Sequence, residues 1–159
     1  MSEARSGARL AAVQALYQME LTGMGAEEAV FEFVEHRFGR EPETGMAGGI
    51  DAELFGRIVR GVPDHQAEID QGIAKVLSAD WRLSRIDSIL RAVLRAACFE
   101  LIAAKEVPAK VVIDEYVDVA HAFFSGGEPS FVNAALDRLA RRKRAPEFGE
   151  APPDDELQF

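Results

Sequence analysis

The chain has 159 residues, 48% of them apolar, a length that suits one domain and a composition able to bury a core without staples. Its lone cysteine, Cys98, excludes an intrachain disulfide and a cysteine zinc cluster, and no apolar run approaches the about 20 residues of a membrane span. The net charge of −9, from 18 Lys and Arg against 27 Asp and Glu, counts against a free-standing, non-specific nucleic-acid binder, whose affinity comes from neutralising phosphates.

Taken in chain order, the pattern is helical, with no convincing apolar/polar alternation. The first ten residues are charged and rich in small side chains, without a signal-peptide hydrophobic stretch, and a cytoplasmic location is expected. Leu10, Val13, Leu16, Tyr17 and Leu21 mark a helix that Gly23 and Gly25 close. Ala29, Val30, Phe33 and Val34 mark a second. Gly39 to Gly49, with Pro42 and several glycines, reads as a mobile connection. Leu54, Phe55, Ile58, Val59 and Val62 predict a third helix, and Ile69, Ile73, Val76 and Leu77 a fourth. The clearest stripe is residues 86–102, where Ile86, Ile89, Leu90, Val93, Leu94, Ala97, Leu101 and Ile102 recur at three- and four-residue steps. Arg91, Arg95 and Glu100 lie off it. Pro108 opens the next helix, which Gly126-Gly127 ends, and Pro129 opens the last. These segments predict an all-α, compact bundle of about seven helices over residues 1–144.

Residues 145–159 differ in kind. They hold five acids, three prolines and no basic residue, and leave 18 basic against 22 acidic side chains, a net of −4, in residues 1–144. An acidic disordered tail is expected there, directly after the basic run Arg141-Arg142-Lys143-Arg144.

Reactive chemistry is sparse. His36, His65 and His121 are far apart and form no metal-ligand pair, so helix-surface or boundary positions are expected for them. Cys98 falls inside the most apolar helix and reads as a buried structural thiol. Gly45, Gly48 and Gly49 do not spell a phosphate loop, because no strand precedes them and no lysine follows. Asp114, Glu115 and Asp118 lie on one helix, with Asp114 and Asp118 sharing a face at i,i+4, and read as a solvated acidic face, with cation binding as the alternative. No catalytic constellation and no cofactor fingerprint emerges, and no enzymatic activity, cofactor or metal is expected.

Four stretches in fixed order are more specific. They are Ala8 to Tyr17 (ARLAAVQALY), Leu94 to Leu101 (LRAACFEL), Val107 to Glu115 (VPAKVVIDE) and Phe131 to Asp137 (FVNAALD). Together they resemble the NusB family of transcription antitermination factors, over roughly residues 4–142. The resemblance implies an all-helical protein of two packed sub-bundles without catalytic activity. It further implies pairing with the ribosomal protein NusE, binding to the boxA element of nascent ribosomal RNA transcripts, and work within the RNA polymerase antitermination complex.

The same resemblance assigns roles to individual residues. Arg5 and Arg9 stand where the family has an arginine-rich arm that meets RNA, with Ser6 and Gly7 where further basic residues are common. That depletion lowers the phosphate-binding contribution. Phe131 is a candidate base-stacking face or, on its own spacing, a core aromatic against Ala135 and Leu136. Asn133 is a candidate for reading a base edge or for capping local backbone, and Lys110 for a phosphate contact. Tyr17, Glu20 and Leu21 on the first helix form the candidate NusE ridge, which would equally suit a homodimer. An acidic body would steer a basic ribosomal partner towards it.

Two other classes compete with this reading. A similar helical domain accompanies some RNA cytosine methyltransferases, of which this chain would be a detached module, lacking their α/β domain. A helical adaptor that meets only proteins is the other. The acidic tail is either an intramolecular competitor for RNA at Arg141–Arg144 or a solubilising segment.

Overall fold

Burial follows the predicted stripes closely. In the computed structural model, which describes residues 3–38, 49–77 and 82–156, seven α-helices appear. They are α1 (Glu3–Thr22), α2 (Ala26–His36), α3 (Ala52–Asp64), α4 (Gln66–Val76), α5 (Ser88–Ala103), α6 (Ala109–Phe123) and α7 (Glu128–Lys143). The described residues contain no strand. Of the connection expected at Gly39–Gly49, all but Gly49 lies outside the described residues.

The apolar faces sort the helices into two sub-bundles. Helices α1, α2 and α3 pack on one another, and α4 to α7 form the second group. α5 joins them, touching α1, α3, α4, α6 and α7. That position requires burial all round, and Leu90, Val93, Leu94, Ala97, Cys98 and Leu101 are all closed to solvent. α1 meets its neighbours through small side chains, Ala8, Ala11, Ala12 and Ala15, which let helix backbones approach closely. Asp51 and Asp87 accept from the first-turn N–H groups of α3 and α5.

Three charged residues, Arg9, Glu115 and Arg144, depart from the sequence expectation because they are interior. Arg9, expected at the RNA-facing surface, is 2% exposed. Its Nε and Nη2 donate to the two carboxylate oxygens of Glu100 at 2.8 and 2.9 Å, and Nη1 donates to Glu115 Oε1 at 2.7 Å. Tyr116 Oη donates to Glu100 Oε2 at 2.5 Å, and Ser6 Oγ to Glu115 Oε1 at 2.9 Å. Burial opposes the Arg9 charge, but the hydrogen bonds and charges of Glu100 outweigh it and raise its pKa. Burial, then the neighbouring Glu100 charge, push the Tyr116 phenol well above its ordinary value, so it remains a donor. This network pins α1 to α5 and α6.

Arg144 is likewise buried, at 4% exposure, rather than part of a basic surface. It donates to the carbonyls of Glu100, Leu101 and Ala104 at the end of α5, and to that of Val107 in the turn beyond. A cation thus gathers carbonyl oxygens at the negative end of a helix dipole. Glu147 does the converse for α6, accepting from Ala109 N–H at 2.9 Å while Arg144 donates to its other oxygen at 2.5 Å.

Composition predicts disorder over residues 145–159; of these, residues 145–156 hold two 3₁₀ turns, Ala145–Phe148 and Asp154–Glu156, that lie against the body, and 157–159 lie outside the described residues. The prolines and acids that suggested disorder here serve as turn formers and ion-pair partners.

Two predictions follow from the charged interior. Arg9→Leu leaves Glu100 and Glu115 buried without their cation and costs about 3–5 kcal/mol, read as a lower urea midpoint. Arg9→Lys, which keeps charge but not the paired donors, lies between. The second concerns acid. The hydrogen bond from Ala109, reinforced by Arg144, holds the Glu147 carboxyl below its ordinary range. Its contribution is complete above the unfolded value of about 4.3 and is lost as pH falls through the lower folded value. The Tm gap between wild type and Glu147→Gln is therefore widest near neutrality and closes below about pH 4.

Candidate nucleic-acid and partner interface

The residues proposed from sequence fall into three separate regions. At the start of α1, Arg5 is exposed and lines a cleft of about 540 Å³ with Asp51, Glu53 and Arg57 on one side and Glu106, Pro108 and Val111 on the other. Arg57 crosses that cleft, donating to Ala103 O and to Glu106 Oε2, both at 2.9 Å. Lys110 is exposed on the first turn of α6, beside the Pro108 and Val111 edge. Arg9 underlies this cleft, and its guanidinium is directed to Glu100 and Glu115. Arg5 and Lys110 thus share one end of the molecule, with Arg9 as their support.

Phe131 and Asn133 occupy the first turns of α7. The end of α7 returns to the start of α6 through Arg144 and Glu147, so the two helices run antiparallel. Phe131 accordingly lies about 20 Å from Lys110, the length of α6. Phe131 is half-buried, packed on the edge of the core with part of its ring open, and Asn133 is exposed. Phe131 thus makes the core contact that its spacing allows and stays partly exposed. The structure does not merge Phe131 and Asn133 with Arg5 and Lys110 into one patch.

The third region is the end of α1. Leu21 is 69% exposed and Tyr17 half-buried, an apolar ridge that the core leaves partly unused. Glu20 is less available than expected. Its carboxylate accepts from Arg91 at both oxygens and from Arg95 Nη1 at 3.1 Å, and these partners, Arg91 first, draw its pKa down. Arg95 also forms a two-pronged pair with Asp70 at 2.9 and 3.0 Å. The i,i+4 spacing of Arg91 and Arg95 off the apolar stripe carried this signal, but their partner 71 residues upstream did not show in it. Phe31 on α2, 62% exposed, is the other large apolar side chain open to solvent among the described residues. It was missed because the α2 stripe of Ala29, Val30 and Phe33 accounts for the buried face without it.

Among the described residues the candidate reactive side chains are either buried or turned to solvent. Burial pushes the Cys98 thiol up to about 12, which keeps it protonated and unreactive. Asp114, Asp118 and His121 point to solvent, and no group of three metal-ligating side chains forms among the described residues.

Comparison with known proteins gives this arrangement its relatives. The family model described as the NusB family matches residues 6–141. The transcription antitermination protein NusB of Maricaulis maris is 51% identical over 144 residues, which cover 91% of this chain and 90% of that protein. Its counterpart from Caulobacter vibrioides is 53% identical over 140 residues, covering 88% and 94%. Among solved structures, NusB of T. maritima superposes with a TM-score of 0.72 at 29% identity, covering both chains completely. A crystal structure of the antitermination factors NusB and NusE in complex with dsRNA matches with a TM-score of 0.72 at 28% identity, over 89% of this chain and 98% of that one. Matched by the family model over residues 6–141 and about half identical to the Maricaulis maris and Caulobacter vibrioides proteins over most of its length, the chain belongs to the NusB family.

Proposed function

We propose that this chain is a transcription antitermination factor that pairs with NusE, binds boxA RNA of nascent ribosomal RNA transcripts and supports processive transcription by RNA polymerase. The observation that carries this reading is the match, over nearly the whole fold, to a NusB solved together with NusE and RNA. The chain acts in this reading as a binding surface in the cytoplasm, with no bond made or broken. Its protonated, buried thiol and its solvent-facing acids are consistent with that role. No helix among the described residues is long and apolar enough to cross a membrane.

Each exposed region takes one task. Tyr17 and Leu21, with Phe31 on the neighbouring helix, offer the apolar anchors on which an interface typically depends. The acidic body draws in a basic ribosomal protein and speeds encounter more than it deepens affinity. Arg5 and Lys110 supply phosphate contacts at one end, and the open part of the Phe131 ring supplies a stacking face at the other, with Asn133 beside it. The separation of these two ends favours an extended strand over a compact RNA element. NusE supplies the positive charge that this chain lacks.

Fluorescence anisotropy with a labelled boxA RNA at fixed salt tests the pairing. Binding is weak with the chain alone and much tighter once NusE is added; equal affinity in both cases would overturn the reading. Leu21→Asp, a change at an exposed position, abolishes the gain from NusE while leaving the melting curve in place. Phe131→Ala lowers the affinity of the pair for RNA by the about 1–3 kcal/mol of one stacked base, with an unchanged circular dichroism spectrum. Lys110→Ala weakens binding on all sequences and flattens the salt slope by about one phosphate contact.

A further inference from the structure

The carboxylates of the C-terminal segment sit on a strip of cations at the α4–α7 face. Gly149, with φ of 70°, turns the chain back at the end of the first 3₁₀ turn, and Pro152-Pro153 lead into the second. Asp155 Oδ2 then accepts from Lys75 Nζ of α4 at 2.8 Å and from Arg142 Nη2 of α7 at 2.5 Å. Glu156 accepts from Arg142 Nε at 3.2 Å and from Lys143 Nζ at 2.7 Å. Glu150 accepts from Arg141 Nη1 at 2.7 Å. Two consecutive carboxylates each bridge two cations, and one of those bridges spans two helices. Successive phosphates of a nucleic-acid backbone make the same demand on a protein surface.

We propose that Lys75, Arg142 and Lys143 form a second RNA-backbone strip, separate from Arg5, Lys110 and Phe131, and that Asp155 and Glu156 occupy it as an intramolecular phosphate mimic. RNA and the tail compete for the same cations. The choice of RNA as the polyanion rests on the proposed function; the masking of the strip does not.

Three observations carry the proposal. The segment is fixed to the fold upstream of its last turn, where Glu147 caps α6 and Glu150 N–H donates to Ala145 O at 3.0 Å. Release of residues 152–156 therefore leaves the bundle intact. The contacts that hold the last turn are ion pairs of differing exposure: Lys75 and Asp155 are 43% and 50% exposed, while the Arg142–Glu156 and Lys143–Glu156 pairs are more enclosed, at 11–22%. A polyanion that releases counterions along several phosphates competes for the same cations. Finally, the released turn carries Asp154, Asp155 and Glu156, so its departure takes three negative charges away from the strip. Arg144, engaged with backbone carbonyls in the interior, takes no part.

The test uses the full chain without NusE and a labelled single-stranded oligouridylate lacking the boxA sequence, titrated across salt. Asp155→Asn/Glu156→Gln raises affinity about tenfold at low salt and steepens the slope of log K against log salt by about 2, the value for three further phosphate contacts. Adding Lys75→Gln/Arg142→Gln/Lys143→Gln to that variant abolishes the gain. Asp114→Asn/Asp118→Asn, which removes the same charge from an exposed face elsewhere, gives little of it. Unchanged affinity after neutralising the tail overturns the proposal, as does an equal gain from the Asp114/Asp118 control or a gain that survives loss of the strip. Binding of polyglutamate by the tail variant with no gain for RNA assigns the strip to an acidic protein instead and also overturns it. Failure of NusE to enhance boxA binding is read in a separate titration and bears on the proposed function alone.

Discussion

The buried cation of Arg9 is the constraint around which the two sub-bundles are arranged. A guanidinium removed from water requires opposite charge and full hydrogen bonding, and Glu100, Glu115 and Tyr116 supply both from α5 and α6. Apolar packing between α1 and α5 is tolerant of sliding, because alanines present a nearly featureless surface. Three directional hydrogen bonds from one side chain are not tolerant of it. They fix the rotation and height of α1, and with them the direction in which Arg5 leaves the helix at one end and Tyr17 and Leu21 at the other. A residue that serves no surface thereby decides where the surfaces are.

The Arg144–Glu147 pair applies the same principle at a helix junction. α5 ends and α6 begins within a few residues, so the negative end of one dipole and the positive end of the next lie close together. A cation and an anion, three residues apart and in contact, answer the two ends at once. The cleft lined by Arg5, Arg57, Pro108 and Val111 borders this junction, and its shape depends on the α5–α6 turn staying closed.

Most of the fold was legible because it rests on local periodicity. The stripes on α5 and α6, the glycines that end α1 and α6, and the prolines that open α6 and α7 each encode a helix within its own sequence window. What escaped notice was charge, whose meaning depends on distant partners. Arg9 and Arg5 look alike in sequence, yet one points into the bundle and the other to solvent, and the difference lies with Glu100 and Glu115 some 90 to 110 residues away. Glu100 fell off the apolar stripe, yet that side of α5 is covered as well, by Arg9 of α1 and Tyr116 of α6. Arg144 and Glu147 looked like the end of a basic run and the start of an acidic tail. The candidate partner ridge was partly legible. Tyr17 and Leu21 are spaced as a ridge, but the capture of Glu20 by Arg91 and Arg95 required the antiparallel packing of α1 and α5.

The distribution of ion pairs bears on how an acidic protein meets a polyanion at all. Arg37, Arg60, Arg91, Arg95, Arg141 and Arg142 all pair with carboxylates of their own chain, so the formal count of basic residues overstates the positive charge on offer. Any phosphate must displace an internal carboxylate or find one of the few places, such as Lys110, that project clear of the acidic body. A surface of this kind discriminates against non-specific nucleic acid, because each bound phosphate must compete with a carboxylate already in place. On the proposed function, stacking on Phe131 escapes that competition, since a ring face carries no counterion to release. On the proposed function, affinity is then restored by a basic partner docked on the α1–α2 hairpin, and selectivity follows because RNA is gripped only where both surfaces are present.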